Sequence, residues 1–125
     1  MDSGAEHFVD VKNHDDESIT AEVLKLTGGL GASAVIVCTS SNRAYAQAID
    51  FLRFGGTMVC VGMPEGEPQP IAKSYPQKLV FKQATIAAVA VGNRRDAIET
   101  MDFAARGIVK THYRVEKMDK LTDVS

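Results

Sequence analysis

Two apolar runs of the sequence, "AVIVCTSSN" and "TMVCVGMP", end in residues that could form a binding site. The six residues at these two ends are Cys38, Thr39, Ser40, Val61, Gly62 and Met63. If the runs are strands of a parallel sheet, their carboxyl ends lie along one edge, where ligands of such sheets bind. The six residues are therefore candidates for one binding cleft.

Each stretch also has a purely structural interpretation. "TSSN" in front of a helix is typical of an N-cap, and "VGMP" is typical of a strand that ends in a turn, because Pro64 cannot donate to a ladder. We expect glycine at 62 because a side chain there would block a group that approaches the backbone. The occurrence of both stretches at neighbouring strand ends favours the cleft.

Alternating strand and helix patterns must position these residues. Strands are predicted at 7–11, 33–38 and 57–62, and helices over 19–29 and 43–56, the second ending at Gly55 and Gly56. This order predicts a parallel sheet with right-handed crossovers. Neither central run alternates in polarity, so both faces of the sheet are expected to be buried. The thiols of Cys38 and Cys60 are expected to be buried and reduced.

The second half of the chain predicts a helical turn near 76–80, a strand over 84–90, a helix capped by Asn93, and a strand at 111–115. A last helix should begin at Asp119, with Leu121 and Val124 at helical spacing. The helix after Asn93 carries an apolar stripe that we expect to be buried. The stripe consists of Ala97, Ile98, Met101, Ala104 and Ala105.

The composition excludes several classes of function. With 125 residues, 45% apolar residues and a net charge of −2, the chain has the composition of one ordinary globular domain. No basic surplus indicates a nucleic-acid partner, and no run is apolar and long enough to span a membrane. The start lacks the pattern of a secretory leader, so a cytoplasmic protein is expected. Three scattered histidines and two separate cysteines do not predict a metal site.

Several longer stretches resemble the zinc-dependent alcohol dehydrogenases of the medium-chain dehydrogenase/reductase superfamily, and particularly their fungal branch. They are "GAEHFVDV", "GASAVIVCTSSNRAYAQAIDFLRFGGTMVCVGMPEG", "AVGNRRDAIETMDFAARGIVKTHYRV" and "EKMDKL". The resemblance covers nearly the whole chain.

The resemblance implies an α/β fold: the second half of a Rossmann-type parallel sheet with flanking helices, truncated at both ends. Residues 1–125 would form a partial dinucleotide-binding domain, with about 111–125 leading toward the missing end of the catalytic domain. The family's Gly-rich pyrophosphate turn is absent, since "GGLGAS" at 28–33 follows a helix. The family's zinc ligands are also absent from this chain.

The resemblance further implies that the chain holds the nicotinamide side of NAD. Cys38, Thr39 and Ser40 would lie along the adenosine ribose and the cleft. Val61, with its carbonyl on the carboxamide, and Met63 would flank the nicotinamide on either side of Gly62.

Val89 and Val91 are implied to offer further backbone groups to the same carboxamide. Family members often have Gly-Ser where this chain has Ala88-Val89. The larger side chains of Ala88 and Val89 leave their backbone groups able to contact a ligand but change the space around those groups.

The implied reaction is hydride transfer between an alcohol and NAD, with the 125-residue chain inactive by itself. Two alternatives remain open: a non-catalytic interaction module derived from an alcohol dehydrogenase, and a fragment of a zinc-free NADPH quinone reductase-like member. The apolar region 79–91 would be either an inner strand or the edge strand that the resembling family uses for dimerisation. As an edge strand it could form a homo-oligomer or pair with a full-length subunit.

Overall fold

A computed structural model of the chain describes the backbone of residues 4–123 and the side chains of residues 4–120. The strands are β1 (Ala32–Val37), β2 (Leu52–Cys60) and β3 (Thr85–Ala88). The helices are α1 (Asp16–Leu26), α2 (Asn42–Phe51), α3 (Pro76–Lys82) and α4 (Arg94–Ala105), with 3-10 turns at Val11–Asn13 and Met118–Asp123. Residues Glu6–Val91 form one compact unit, and α4 belongs to a second.

The three strands form one parallel sheet in the order β1-β2-β3, which confirms the predicted fold class. In the register of the sheet, Val37 lies beside Cys60, and Cys60 lies beside Ala88. The strands therefore end in one row, and the residues that follow them emerge along the same edge.

Helix α2 is shorter than the sequence pattern predicts. It ends at Phe51, and β2 begins at Leu52, which pairs with Ala32. The predicted helix end at Gly55 and Gly56 was wrong, because these glycines lie in an irregularity of the ladder between β1 and β2. Gly55 has a φ of +70°, a left-handed conformation that glycine adopts without the strain of a side chain.

The core of the first unit lies on one face of the sheet, where α2 packs against β1 and β2. Its buried residues are Val37, Tyr45, Ala48, Ile49, Leu52 and Met58. On the opposite face, the side chain of Ile36 is 63% exposed. The expectation that both faces are buried was wrong for the described residues, since apolar composition does not itself supply a covering layer.

Helices α1 and α2 are joined by a polar contact that begins at the first residue of α1. Asp15 caps α1, accepting a hydrogen bond of 2.8 Å from the N–H of Ser18. Asp16 then accepts hydrogen bonds from Arg43 Nε at 2.8 Å and Gln47 Nε2 at 2.7 Å. This contact satisfies the amide of Gln47, which is buried.

Two predicted strands are not formed. Residues 7–11 are irregular and lead into the first 3-10 turn, and residues 111–115 are also irregular. A strand requires a neighbour for its ladder, and the three-stranded sheet includes neither segment. The predicted strand at 84–90 and the predicted turn at 76–80 are confirmed, with their observed bounds at Thr85–Ala88 and Pro76–Lys82.

Helix α4 begins as the sequence predicts. The side chain of Asn93 accepts from the N–H groups of Arg95 and Asp96, and the carboxylate of Asp96 accepts from Asn93 N–H at 2.7 Å. Its apolar stripe, however, is exposed, with Ile98 62% and Met101 68% accessible, so the predicted burial was wrong.

At the end of the described chain, Asp119 lies in a 3-10 turn rather than at the start of an α-helix. The side chain of Leu121 and the whole of Val124 lie outside the described residues. No helix in the described part of the chain has the length and apolar character required to cross a membrane.

Candidate functional site

The eight residues that the sequence singles out all lie beyond or at the carboxyl edge of the sheet. Cys38, Thr39 and Ser40 follow β1; Val61, Gly62 and Met63 follow β2; Val89 and Val91 follow β3. Because Val37, Cys60 and Ala88 lie side by side, the fold brings the three groups to one edge. This is where open α/β sheets bind ligands.

Gly62 lies directly against the backbone of Thr39. A Cβ placed on Gly62 would stand 2.3 Å from the carbonyl oxygen of Thr39 and 2.8 Å from its nitrogen. Real side chains do not approach backbone atoms this closely, so only glycine fits. The group that approaches Gly62 is therefore the polypeptide itself, and the close approach joins the two central strand ends.

Hydrogen bonds reinforce this junction. The N–H groups of Val61 and Gly62 both donate to the carbonyl of Val37, at 3.1 and 2.9 Å. The hydroxyl of Tyr45, which is buried beneath the edge, donates to the carbonyl of Gly62. Its burial raises the pKa of the Tyr45 phenol above its ordinary value of 10.0.

The apolar side chains that follow β2 and β3 remain accessible. Val61 is 43% exposed, Met63 84%, Val89 53% and Val91 fully exposed. We call these four residues the apolar shelf. The N–H of Val89 donates to the carbonyl of Cys60 at 3.1 Å. The backbone group of Val89 that can still contact a ligand is therefore its own carbonyl. Val91 adopts a left-handed φ of +38°, which is uncommon for a β-branched residue.

Cys38 and Thr39 line an open groove beside β1, with a volume of about 380 Å³. A second groove of about 360 Å³ is lined by Thr39, Ser41 and Arg43 among others. Ser41 is the N-cap of α2, which confirms the structural interpretation of "TSSN". The cap and the groove lie together, so the two interpretations of this stretch are compatible.

The two cysteines differ in their surroundings. Both are free thiols, but Cys38 is exposed and Cys60 is half-buried. The expectation that both are buried was therefore wrong for Cys38, because the chain leaves β1 at Val37 and the thiol projects beyond the covered core. Burial raises the pKa of the Cys60 thiol.

Within the described part of the chain, no three His, Cys, Asp or Glu side chains come close enough together to hold a metal ion. The described residues thus do not fit a zinc site. They offer instead backbone carbonyls and apolar side chains at a sheet edge.

Sequence reasoning missed a charged cluster at the end of α2. Lys73, Lys78 and Lys82 converge there on Asp50 and on backbone carbonyls. The sequence offers only three lysines within ten residues, at 73, 78 and 82, and nothing near them indicates Asp50 as their partner.

A parallel sheet with helical crossovers and a cleft at its carboxyl edge defines the class: half of a Rossmann-type dinucleotide-binding domain. Residues 1–106 match the family model described as zinc-binding dehydrogenase. The chain belongs to that zinc-binding dehydrogenase family.

Curated relatives agree with this assignment. The chain is 57% identical over 127 residues to alcohol dehydrogenase 2 of Emericella nidulans, covering 98% of this chain and 35% of that protein. It is 36% identical to alcohol dehydrogenase 1 of Neurospora crassa, covering 97% of this chain and 33% of that protein. The chain thus spans about a third of the length of these relatives.

Solved structures show the same fold. The alcohol dehydrogenase from the archaeon Aeropyrum pernix superposes with a TM-score of 0.77 at 22% identity, covering 97% of this chain and 33% of that one. The alcohol dehydrogenase from Thermotoga maritima gives a TM-score of 0.74 at 23% identity, covering 84% and 28%.

Proposed function

We propose that this chain forms the nicotinamide side of the cofactor cleft of an NAD-dependent alcohol dehydrogenase. The observation that supports this most directly is the common row of strand ends, from which the apolar shelf emerges beside the Gly62–Thr39 junction. The relatives are alcohol dehydrogenases, which supports an alcohol as the substrate.

The shelf suits a nicotinamide ring for two reasons. The ring is flat and its faces carry no hydrogen-bonding groups, so Val61 and Met63 can pack on it without losing hydrogen bonds. Its carboxamide needs a donor and an acceptor at fixed positions, which the carbonyls of Val61 and Val89 and the backbone of Val91 can supply. NAD, when bound, would accept the hydride from the alcohol; this chain's residues would hold the ring in place.

Cys38, Thr39 and Ser40 would hold the adenosine ribose side of the cofactor. Their backbone leaves β1 beside the open groove, and the hydroxyls can donate to and accept from ribose oxygens. This arrangement extends the cleft from the shelf toward β1.

Saturation-transfer NMR with NAD tests the proposal, because it reports which protons of the cofactor contact the protein. We expect stronger saturation of the nicotinamide protons than of the adenine protons. Met63→Ala should weaken binding about tenfold, because the ring would lose the apolar side chain that packs against its face. Met101→Ala, at a methionine of α4 that is 68% exposed, is the matched control and should leave binding unchanged.

Saturation confined to the adenine protons, or the absence of saturation with NAD, would contradict the proposal. Equal loss of binding in the two methionine variants would also contradict it, because the loss would then not be specific to the shelf.

One observation favours interaction with another subunit as a second function. Among the described strands β3 is an edge, and Val80 and Phe81 on α3, which precedes it in the chain, are 73% and 82% exposed. We infer that region 79–91 associates with a second copy or a full-length subunit.

Light scattering measures this association directly. Phe81→Lys should lower the mass of the assembly toward that of a monomer. Phe8→Lys, at a phenylalanine that is 75% exposed outside the region, should not. A monomeric wild-type chain that also fails to capture a full-length dehydrogenase subunit would disprove it.

A further inference from the structure

Three lysines of one connecting segment converge on the last turn of α2. Lys73 Nζ donates to Asp50 Oδ2 at 2.6 Å, and Lys78 Nζ donates to the other carboxylate oxygen of Asp50. Lys82 Nζ donates to three backbone carbonyls, those of Leu52 at 2.7 Å, Ile49 at 3.0 Å and Asp50 at 3.3 Å. We call Asp50 together with Lys73, Lys78 and Lys82 the lysine clamp.

Two members of the clamp, Asp50 and Lys78, are largely buried, while the side chain of Lys73 is 38% exposed. The side chain of Asp50 is 21% exposed and that of Lys78 is 19% exposed. Partial burial acts to raise the pKa of Asp50, but the hydrogen bonds from Lys73 and Lys78 outweigh it and hold the pKa below its ordinary value. The Asp50 carboxylate is thus charged and fully paired at neutral pH.

Lys73 is held in an unusual backbone conformation. Its φ is +67°, in the left-handed region that is strained for a residue other than glycine. Such a conformation persists only where the surroundings enforce it. Here it directs the lysine onto Asp50, while the N–H of Ser74 and its hydroxyl both donate to the carbonyl of Ile71 and close the turn.

The clamped segment connects the two halves of the apolar shelf. It leaves β2 at Val61 and Met63, passes through the turn at 71–74 and α3, and enters β3, which ends just before Val89. Between Met63 and the turn lie Pro64, Pro68 and Pro70. Proline fixes φ at three positions of this loop and so reduces the conformations open to it, and its position at Met63 depends on where its far end is fixed.

We propose that Asp50, through Lys73 and Lys78, is a positioning residue that fixes the apolar shelf for the nicotinamide ring. The role of the nicotinamide ring in this proposal rests on the proposed function. The positioning of the shelf by the clamp does not depend on it. Asp50 lies on the last turn of α2 and touches no residue of the shelf in any described hydrogen bond. Its effect on the ring passes through the proline-rich loop.

Two measurements on the same variants test this. Lys73→Gln removes the charge and replaces lysine by an unbranched polar side chain that is one atom shorter. We expect the amide NMR resonances of Met63 and Gly66 to shift or broaden, while that of Gly107 is unchanged. Lys73→Arg should restore the wild-type spectrum, because an arginine can still pair with Asp50.

The second measurement is the affinity for nicotinamide mononucleotide, with AMP as the probe for the adenosine side. Lys73→Gln should weaken the mononucleotide between about 2-fold and 30-fold, the range of couplings carried through packed networks, with AMP affected less. Lys25→Gln, which breaks an exposed ion pair with Glu22 within α1, is the matched control and should change neither affinity nor the loop resonances.

The outcomes separate the two proposals. If wild-type protein binds no nicotinamide mononucleotide but Lys73→Gln still moves the loop resonances, the cofactor assignment fails and the positioning by the clamp stands. If the loop resonances stay in place in Lys73→Gln, or change equally in Lys25→Gln, the clamp does not position the shelf and the proposal is overturned.

Discussion

Gly62 and Thr39 are in backbone contact across the ends of β2 and β1, with no room for a Cβ on the glycine. Because of this contact, neither strand end can move without displacing the other. Two N–H groups that donate to Val37 and the hydroxyl of Tyr45 fix the same point. The candidate cofactor edge is therefore a rigid junction and not a pair of independent loops.

Gly62→Ala should destabilise the protein by on the order of 3 kcal/mol, because the new methyl group can be accommodated only by separating the two strand ends. Urea unfolding measures this. The control is Gly66→Ala, at a glycine with a φ of +89° and open space around its Cβ position. It should cost about 1–2 kcal/mol from backbone strain alone. Equal costs for the two variants would show that the contact with Thr39 is not tight.

Tyr45→Phe should cost about 1 kcal/mol, because the carbonyl of Gly62 loses its donor while the ring stays in the core. Tyr113→Phe, at an 80% exposed tyrosine, should change the free energy of unfolding by less than about 0.5 kcal/mol. Chemical denaturation of both variants beside the wild type makes the comparison. A cost for Tyr45→Phe no larger than that for Tyr113→Phe would mean the hydrogen bond contributes nothing.

The same tyrosine predicts a loss of stability in alkali. Burial raises its pKa in the folded state above 10.0, so the folded protein holds the phenolic proton more tightly than the unfolded chain. This contribution is fully present below the unfolded pKa and is lost as the pH rises through the folded one. The difference in unfolding free energy between wild type and Tyr45→Phe should shrink as the pH passes 10. A difference that stays constant would contradict the raised pKa.

From the lowered pKa of Asp16 we expect the opposite pH dependence of stability. Hydrogen bonds from Arg43, and then from Gln47, lower its pKa below 3.8. Its contribution to stability is present above the unfolded pKa and is lost as the pH falls through the folded one. Unfolding measured from neutral to acid pH should therefore show a smaller loss in Asp16→Asn than in wild type. Parallel acid profiles for the two proteins would rule out the contribution.

Lys82→Met should destabilise the protein by about 1–3 kcal/mol, because three carbonyls at the end of α2 lose a charged donor. Thermal unfolding of Lys25→Met provides the comparison, since Lys25 is 75% exposed and should contribute less than about 0.5 kcal/mol. If the two variants lose the same stability, the ammonium of Lys82 is not a cap of α2.

Much of the fold could be predicted because its signals are local. Continuous apolar runs, separated by helical patterns, predict parallel strands, and the sheet confirms them. The cap at Asn93 with Asp96 three residues on is a signal of the same kind. The convergence of Cys38–Ser40 with Val61–Met63 also follows, because parallel strands end at the same edge.

What could not be predicted depends on contacts distant in sequence. Nothing near Gly55 shows that β2 already begins at Leu52, because that start depends on pairing with Ala32. In the lysine clamp, Lys73 and Lys78 pair with Asp50 from 23 and 28 positions further along the chain. No local sequence pattern indicates pairing over such a separation. Burial is also a property of the covering layer, so an apolar stripe such as that of α4 predicts only a preference for being covered.

The two faces of the sheet give the last prediction. Met58 is fully buried under α2, while Ile36 on the neighbouring strand is 63% exposed on the opposite face. In the 125-residue chain, Met58→Ala should cost about 2–5 kcal/mol from the cavity it leaves. Ile36→Ala should change the free energy of unfolding by less than about 0.5 kcal/mol, because its side chain is already in water. Urea unfolding of both variants measures the difference, and a large cost at Ile36 would show that this face is covered in solution, for instance by a second copy of the chain.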